Sequence, residues 1–346
     1  MTGDFFYIRP AMKYLLLIGT FFTLLFCSCG NKGSKNTALS GSDTISAELK
    51  AINELLRETP GNAKLYVKRA KYYMNKKDYN AAQADMSRAL SIDSTQADFY
   101  LSLADLYFMV NKTGASKTAL ERCHRLDPAN ADCIMKLAEL YFYVRKYQES
   151  LNFLDEALKL DQYNSKAYFM KGMNFKESGD TTKAISSMQT AVEQDNTYYN
   201  AYIQLGLLCG VKHNPLAEDY YMNALRLQPR SPEALYDFAR YLQDLKNYPR
   251  AEVLYKQLLA LNDKNFDALY NLGVIGVNQK NYTGALGYFT QAITAEPRNS
   301  KGYYGRGYCY QLMGELQNAA ADYRYTLTLD PEFEPAKAAL GKLKVN

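Results

Sequence analysis

The sequence predicts an all-α solenoid, and three observations carry that prediction. Small residues recur at a fixed period: Ala70, Ala104, Ala138, Gly172, Gly206, Ala239, Gly273 and Gly307 are spaced by 34, except for one interval of 33 between Gly206 and Ala239. A second series follows twelve residues behind the first: Ala82, Ser116, Ser150, Ala184, Ala251, Ala285 and Ala319, with Ala217 eleven behind Gly206. Four residues before each member of the first series stands a large one: Tyr66, Tyr100, Ile134, Tyr168, Tyr202, Leu235, Leu269 and Tyr303. Large residues seven apart, such as Tyr66 and Tyr73 or Tyr303 and Tyr310, share one face of a helix, and a Gly or Ala between them admits a second helix at close range. A period in this range is the mark of stacked supersecondary units.

The elements follow in order. From Met12, "MKYLLLIGTFFTLLFCSCGNKGSKN" places one Lys before an apolar run from Tyr14 to Phe26. Thirteen helical residues cover about 20 Å, short of a hydrocarbon core of about 30 Å. Residues 1–28 therefore read as a signal peptide, with Met12 a competing start. The end of it resembles a bacterial lipoprotein signal, in which a Cys after small residues is acylated; Cys29, between Ser28 and Gly30, fits that role. Residues 29–41, rich in Gly, Ser, Asn and Lys, form a tether with roughly 20 Å of reach. Residues 42–62 hold a capping helix, with Ile45, Leu49, Ile52 and Leu56 at helical spacing and Pro60-Gly61 as its stop. Residues 334–346 form a closing helix with Ala336, Leu340 and Leu343 on one side and Lys337, Lys342 and Lys344 on the other. Polar-faced caps keep a solenoid soluble.

Between them, each unit reads as two amphipathic helices, with breakers such as "ESGD" and "QLMGE" in the middle. Pro128, Pro229, Pro297 and Pro331 close four units. The pattern resembles the tetratricopeptide repeat: a large residue at position 4, Gly/Ala at 8, an aromatic at 11, Ala at 20, an aromatic at 24, Ala at 27 and Pro at 32. The resemblance covers residues 63–333 as eight repeats beginning at Ala63, Ala97, Ala131, Ser165, Tyr199, Pro232, Phe266 and Ser300, and implies a right-handed α-solenoid. Departures occur at Cys209 and Gly276 (position 11), at Leu258 and Thr326 (position 27), and at the one-residue deletion near "GVKHNP"; those repeats are expected to pack less regularly. The stretch "GYYGRGYCY" (302–310), with the look of a phosphate loop, falls inside the first helix of repeat 8. Its glycine order is not that of a dinucleotide site.

Composition narrows the function. The net charge is only +5 and is spread along the chain without a basic block, which argues against nucleic acid as a partner. Two histidines supply few general bases, and the repeats leave no segment for a catalytic domain, so the chain reads as a non-enzyme without cofactor or metal. Cys209 and His213 are four apart on one helix, but Cys209 takes a core position and no third ligand follows. Cys123 stands at position 27 of repeat 2 and Cys133 opens repeat 3 on the adjoining helix, which leaves both a disulfide and two free core thiols open. Sixteen of the 31 tyrosines fall on framework positions 4, 11, 17 or 24 and are scaffold.

In this family the first helices line a concave face, with positions 2, 5, 9, 12 and 13 pointing into it. Those positions here give Leu101, Phe108, Met109, Met135, Phe142, Tyr143, Phe169, Met173, Ile203, Leu207 and Val211, then Tyr236, Tyr270, Val274, Val277, Tyr304 and Tyr308. The candidate groove residues are Phe108, Phe142, Tyr143, Phe169, Met173, Leu207, Tyr236, Tyr270 and Tyr304. Lys64, Lys68 and Lys71 make one end basic; Glu233, Asp237, Asp244 and Asp267 make a later section acidic. An apolar trough between opposite charges suits a peptide segment. The family's carboxylate clamp is excluded: Asn271 and Lys301 match its pattern, whereas Tyr236, Arg240 and Gly305 do not. The expectation is a scaffold anchored by lipid at Cys29 to the inner face of the outer membrane, binding an envelope assembly or secretion protein. The alternative is an accessory or carrier subunit for glycan or cell-wall enzymes, stacking sugars on Tyr236 and Tyr270 beside Arg240 and Asn271.

Overall fold

The computed structural model describes residues 46–343; the signal segment, Cys29, the tether, Ile45 and Lys344 lie outside them. The described residues form eighteen helices and no strand. A lone helix, α1 (Ala47–Glu58), precedes eight helical hairpins: α2/α3 (Ala63–Asn75, Tyr79–Ile92), α4/α5 (Ala97–Met109, Thr113–Leu126), α6/α7 (Ala131–Tyr143, Tyr147–Leu160) and α8/α9 (Ser165–Glu177, Thr181–Gln194). They continue with α10/α11 (Tyr199–Val211, Leu216–Leu227), α12/α13 (Pro232–Asp244, Tyr248–Leu261), α14/α15 (Phe266–Asn278, Tyr282–Ala295) and α16/α17 (Ser300–Leu312, Leu316–Leu329). The last helix is α18 (Glu334–Lys342). This is the all-α solenoid that the 34-residue period predicts.

Local chemistry marks many of the helix ends. Asn62, Asn130, Asn164, Ser231, Asn265 and Asn299 precede first helices and accept a backbone N–H in the first turn, satisfying one of the orphan donors there. Every first helix ends on a residue with positive φ at position 15: Lys77, Asn111, Arg145, Gly179, His213, Lys246, Lys280 and Gly314. The next N–H bonds back to the carbonyl of position 11, as from Lys146 to Tyr141 at 2.8 Å and from Asn281 to Gly276 at 2.8 Å. These are Schellman closures, which normally favour glycine. Only two of the eight have it.

The hairpins close on a small-to-large contact. Position 8 is Ala or Gly throughout, and position 24 is large: Met86, Leu120, Leu154, Met188, Tyr221, Tyr255, Phe289 and Tyr323, each no more than 2% exposed. Glycine appears at position 8 mainly where the opposing side chain is largest. A Cβ on Gly206 would stand 2.7 Å from the Tyr221 ring, one on Gly273 2.7 Å from Phe289, and one on Gly307 3.1 Å from Tyr323. In repeats 2 and 3, Ser116 and Ser150 at position 20 donate to the carbonyls of Ala104 and Ala138 at 2.9 and 2.8 Å, so the buried hydroxyls are satisfied.

Two expectations are corrected. Cys209, Leu258 and Thr326 are 0%, 2% and 0% exposed and Gly276 is buried, so the family departures pack as regularly as the rest. Thr326 does so because its hydroxyl donates to the Asp322 carbonyl at 2.9 Å. The deletion near "GVKHNP" leaves the turn at His213 intact and shortens the second helix instead: α11 has 12 residues where every other second helix has 14. Between repeats 2 and 3 the open question of Cys123 and Cys133 resolves as a disulfide with Cα atoms 6.3 Å apart. By the chain-entropy account, so short a loop contributes about 3 kcal/mol.

The hairpin contact is testable at Gly172, where a Cβ would meet Met188 Cγ at 2.5 Å. Gly172→Leu is expected to cost about 1–3 kcal/mol in urea denaturation. Lys183→Leu, on the exposed side of the same repeat, should stay within about 0.5 kcal/mol.

Candidate functional site on the first-helix face

Successive first helices lie side by side, and their outward residues make one face. In repeats 2–4 that face carries aromatic pairs. Phe108 and Tyr143, 49% and 62% exposed, meet edge-to-face at 6.0 Å across adjacent repeats. Phe142 is half-buried and leans on Tyr147 at 5.9 Å, and Phe169 leans on Tyr198 at 5.0 Å. Met173 and Leu207 are also half-buried. The position-5 residues Met135 (7%) and Ile203 (1%) and the position-12 residue Val277 (7%) are buried instead. Met135 clusters with Leu154 and with Met170 of the next repeat, and Ile203 with Ala224 and with Ala234 of the next repeat. The sequence reading placed them on the face because spacing alone does not tell how far a neighbouring repeat overlaps a position.

Polar links also cross this face. Lys136 Nζ donates to Asp105 at 2.6 Å, Lys166 pairs with Glu139 at 2.6 Å, and Lys176 donates to Gln204 at 2.7 Å. Each joins one repeat to the next. For the two ion pairs the signal in the sequence is opposite charge about 30 residues apart. Burial, with help from Asp195 and Glu139, pushes the Tyr198 hydroxyl up to about 12, so it stays a neutral donor beside Phe169. The rings of repeats 2–4 thus sit among paired charges, a surface that offers both stacking and hydrogen bonds.

Repeats 5–8 differ. Here Tyr236, Tyr270 and Tyr304 are half-buried. Tyr236 lies 6.2 Å from Tyr255 and accepts from Arg240 Nη1 at 3.4 Å. Tyr270 is stacked on Phe266 at 5.9 Å, and Tyr304 packs on Tyr323 and Phe333 at 5.6 and 5.1 Å. Burial, with Tyr304 adding and Arg240 opposing, pushes Tyr270 up to about 12. Burial also raises the Asp244 carboxyl against the pull of Arg240, and raises Asp267 against Lys301 and Arg240. Arg240 thus bears on Tyr236, Tyr270, Asp244 and Asp267 together. Asn271 is a correction: it is 6% exposed, donates to the Asp267 carbonyl at 2.8 Å and accepts from Gln243, and so is unavailable to a ligand. Cys209 is fully buried with its thiol pushed up, and among the described residues no three His, Cys, Asp or Glu side chains converge as a metal site.

Family models described as tetratricopeptide repeat match residues 63–96, 130–160, 165–198, 236–300 and 300–333. The chain belongs to the tetratricopeptide repeat family, whose scaffolds typically serve protein–protein interaction. No curated protein sequence matches it. Among solved structures it is similar to the C-terminal part of a repeat protein from Cytophaga hutchinsonii, at 20% identity and TM-score 0.60, over 69% of this chain and 98% of the other. A tetratricopeptide repeat protein from Parabacteroides merdae aligns at 18% identity and TM-score 0.51, over 71% and 97%. Pseudomonas aeruginosa pilF aligns at 16% and 0.52, over 60% and 94%. These likenesses show the fold.

Asp237 gives the polar half a pH signature. Burial first, then the Glu233 carboxylate, push its carboxyl up to about 7. A raised acid favours the folded state while protonated, so its contribution to stability falls as pH rises from 3.8 to about 7 and stays lost above that. Asp237→Asn should melt higher than the parent near neutral pH and lose that advantage in acid, as circular dichroism across the range would show.

Proposed function

We propose that the chain is a non-catalytic envelope scaffold, held to a membrane by acylated Cys29, that grips a peptide segment of a partner on its first-helix face. The observation that carries the reading is the pair Phe108 and Tyr143, two large rings in contact across a repeat boundary and about half exposed. Exposed aromatics clustered on a rigid face are the anchors that interfaces use. Phe142, Phe169, Met173 and Leu207 extend the apolar part, and the links from Lys136 and Lys166 supply polar edges. The partner class is an envelope assembly or secretion protein. The Cys123–Cys133 bridge supports export, since disulfides persist in oxidising compartments. A second reading, an accessory subunit for glycan enzymes, draws on Tyr236, Arg240 and Tyr270; the burial of Asn271 takes away one of its contacts.

Crosslinking and recovery from intact envelopes tests the groove. Phe108→Ala with Tyr143→Ala is expected to abolish partner recovery while leaving the melting temperature nearly unchanged, because each ring anchor is worth roughly 2 kcal/mol or more in binding and neither is core. Full recovery by that folded variant would move the binding surface elsewhere. The anchor has its own test: radiolabelled palmitate should mark the wild type, whereas Cys29→Ala should stay unlabelled and move to the soluble fraction. An unlabelled wild type would end the lipoprotein reading.

A further inference from the structure

Because the hairpins are stacked in parallel, all turns inside repeats fall on one edge of the array and all turns between repeats on the opposite edge. The two edges have opposite charge. At positions 13–16 of the eight repeats stand eight Lys or Arg against five carboxylates; at positions 31–34 three stand against eight. Lys112, Arg145, Lys146, Lys212, Lys246 and Lys280 are all exposed. Apolar side chains lie among these cations: Val144 is 42% exposed, Val211 78%, Leu245 45% and Met313 39%.

The acidic edge has a local explanation. Asp93, Asp127, Asp161, Asp195 and Asp330 each accept the N–H two residues on, at 2.8–3.1 Å, and so build their turns. On the basic edge Lys146 pairs with Glu149 at 3.6 Å and Lys76 lies over the Tyr72 ring at 5.8 Å, but the turns themselves do not use the charge. Lys77, Arg145, Lys246 and Lys280 occupy backbone at φ 60–62°, where glycine is the comfortable residue, and the Schellman closure uses only their backbone. Cations stand there against local preference.

We propose that this turn edge docks on an anionic phospholipid bilayer. Cations at the headgroup level with apolar side chains reaching the acyl boundary are what such a surface binds. A nucleic-acid duplex would match the cations but offers no apolar layer for Val211 and Leu245. Opposite charge on the two edges fixes the orientation, with the acidic edge turned away from the membrane. The inference goes beyond the groove reading and stands without acylation of Cys29, since it rests on the edge alone. The first-helix face stays open to a partner in this pose.

The full chain carrying Cys29→Ala removes any acyl chain from the test. It is expected to sediment with vesicles containing phosphatidylglycerol, not with phosphatidylcholine vesicles, and to release as salt rises. Adding Lys77→Gly, Arg145→Gly, Lys246→Gly and Lys280→Gly removes four cations at sites whose backbone suits glycine. At about fivefold per cation, partitioning should drop by more than a hundredfold, with a melting temperature at or above the parent's. The N-terminal apolar run is common to both chains and cancels from the comparison. Undiminished binding by the glycine variant, or equal binding to both vesicle types, overturns the proposal. Binding to a DNA duplex with the same dependence on these cations overturns the lipid assignment in favour of nucleic acid. Failure of palmitate labelling bears on the anchor and leaves this edge untouched.

Discussion

The approach of position 8 on the first helix to position 24 on the second sets the geometry of every hairpin. Two helices can come close only if one gives up side-chain volume. In six of the eight repeats glycine meets an aromatic ring and alanine a Met or Leu, with Gly172 against Met188 and Ala239 against Tyr255 as the exceptions. Ala70, Ala104 and Ala138 oppose Met86, Leu120 and Leu154, whereas Gly206, Gly273 and Gly307 oppose Tyr221, Phe289 and Tyr323. The third partner adjusts too. Where position 24 is Tyr255 or Tyr323, position 12 is Gln243 or Gln311, accepting the hydroxyl at 2.8 and 2.6 Å. Where it is Phe289, position 12 is the apolar Val277. A buried hydroxyl needs an acceptor and a buried ring edge does not, so in repeats 6–8 position 12 follows position 24.

The ends of the array solve a different problem, since a terminal repeat has a neighbour on one side only. Repeats 1 and 8 share a device. Arg69 grips Asp85 through two donors at 2.8 and 2.7 Å, and Arg306 grips Asp322 at 2.8 and 2.8 Å. Each guanidinium also lies over the ring of the position-4 tyrosine, Tyr66 at 5.6 Å and Tyr303 at 5.7 Å, while those hydroxyls donate to Pro60 and Pro297 carbonyls. Such bidentate, half-buried pairs keep their geometry where apolar cover is thin. At the N-terminal end Arg69 reaches further, to Asn53 of α1 at 2.7 Å. At the C-terminal end Phe333 and Ala336 close over Tyr304 and Tyr323.

The hairpin register was legible because glycine and alanine leave a period that survives every other change. What the sequence concealed were relations between repeats. Met135, Ile203 and Asn271 look like groove residues on a single helix and become interior only when the next hairpin lies over them. The turn signal was masked as well: six of the eight left-handed positions carry Lys, Arg, Asn or His in place of the glycine that would have announced them. The terminal pairs are sixteen residues apart, and the links Lys136–Asp105 and Lys166–Glu139 about thirty, distances at which charge correlation in a single chain has no obvious periodic form.

The same register separates charge. The net charge of +5 carries no basic block, because six of the eight repeats contribute one or two cations each at their inner turn and the repeat keeps these groups far apart in sequence. Folding converts that spacing into a row, since position 15 of every hairpin arrives at the same edge. The asymmetry between the edges is then informative: aspartate opposite is required by the turns it makes, whereas lysine and arginine at φ near 60° oppose what the backbone prefers. Such residues stay in place only if the side chain contributes what the backbone loses. The face that carries Phe108 and Tyr143 lies between these two edges and meets the basic one at position 13, where Tyr143 and Val211 stand.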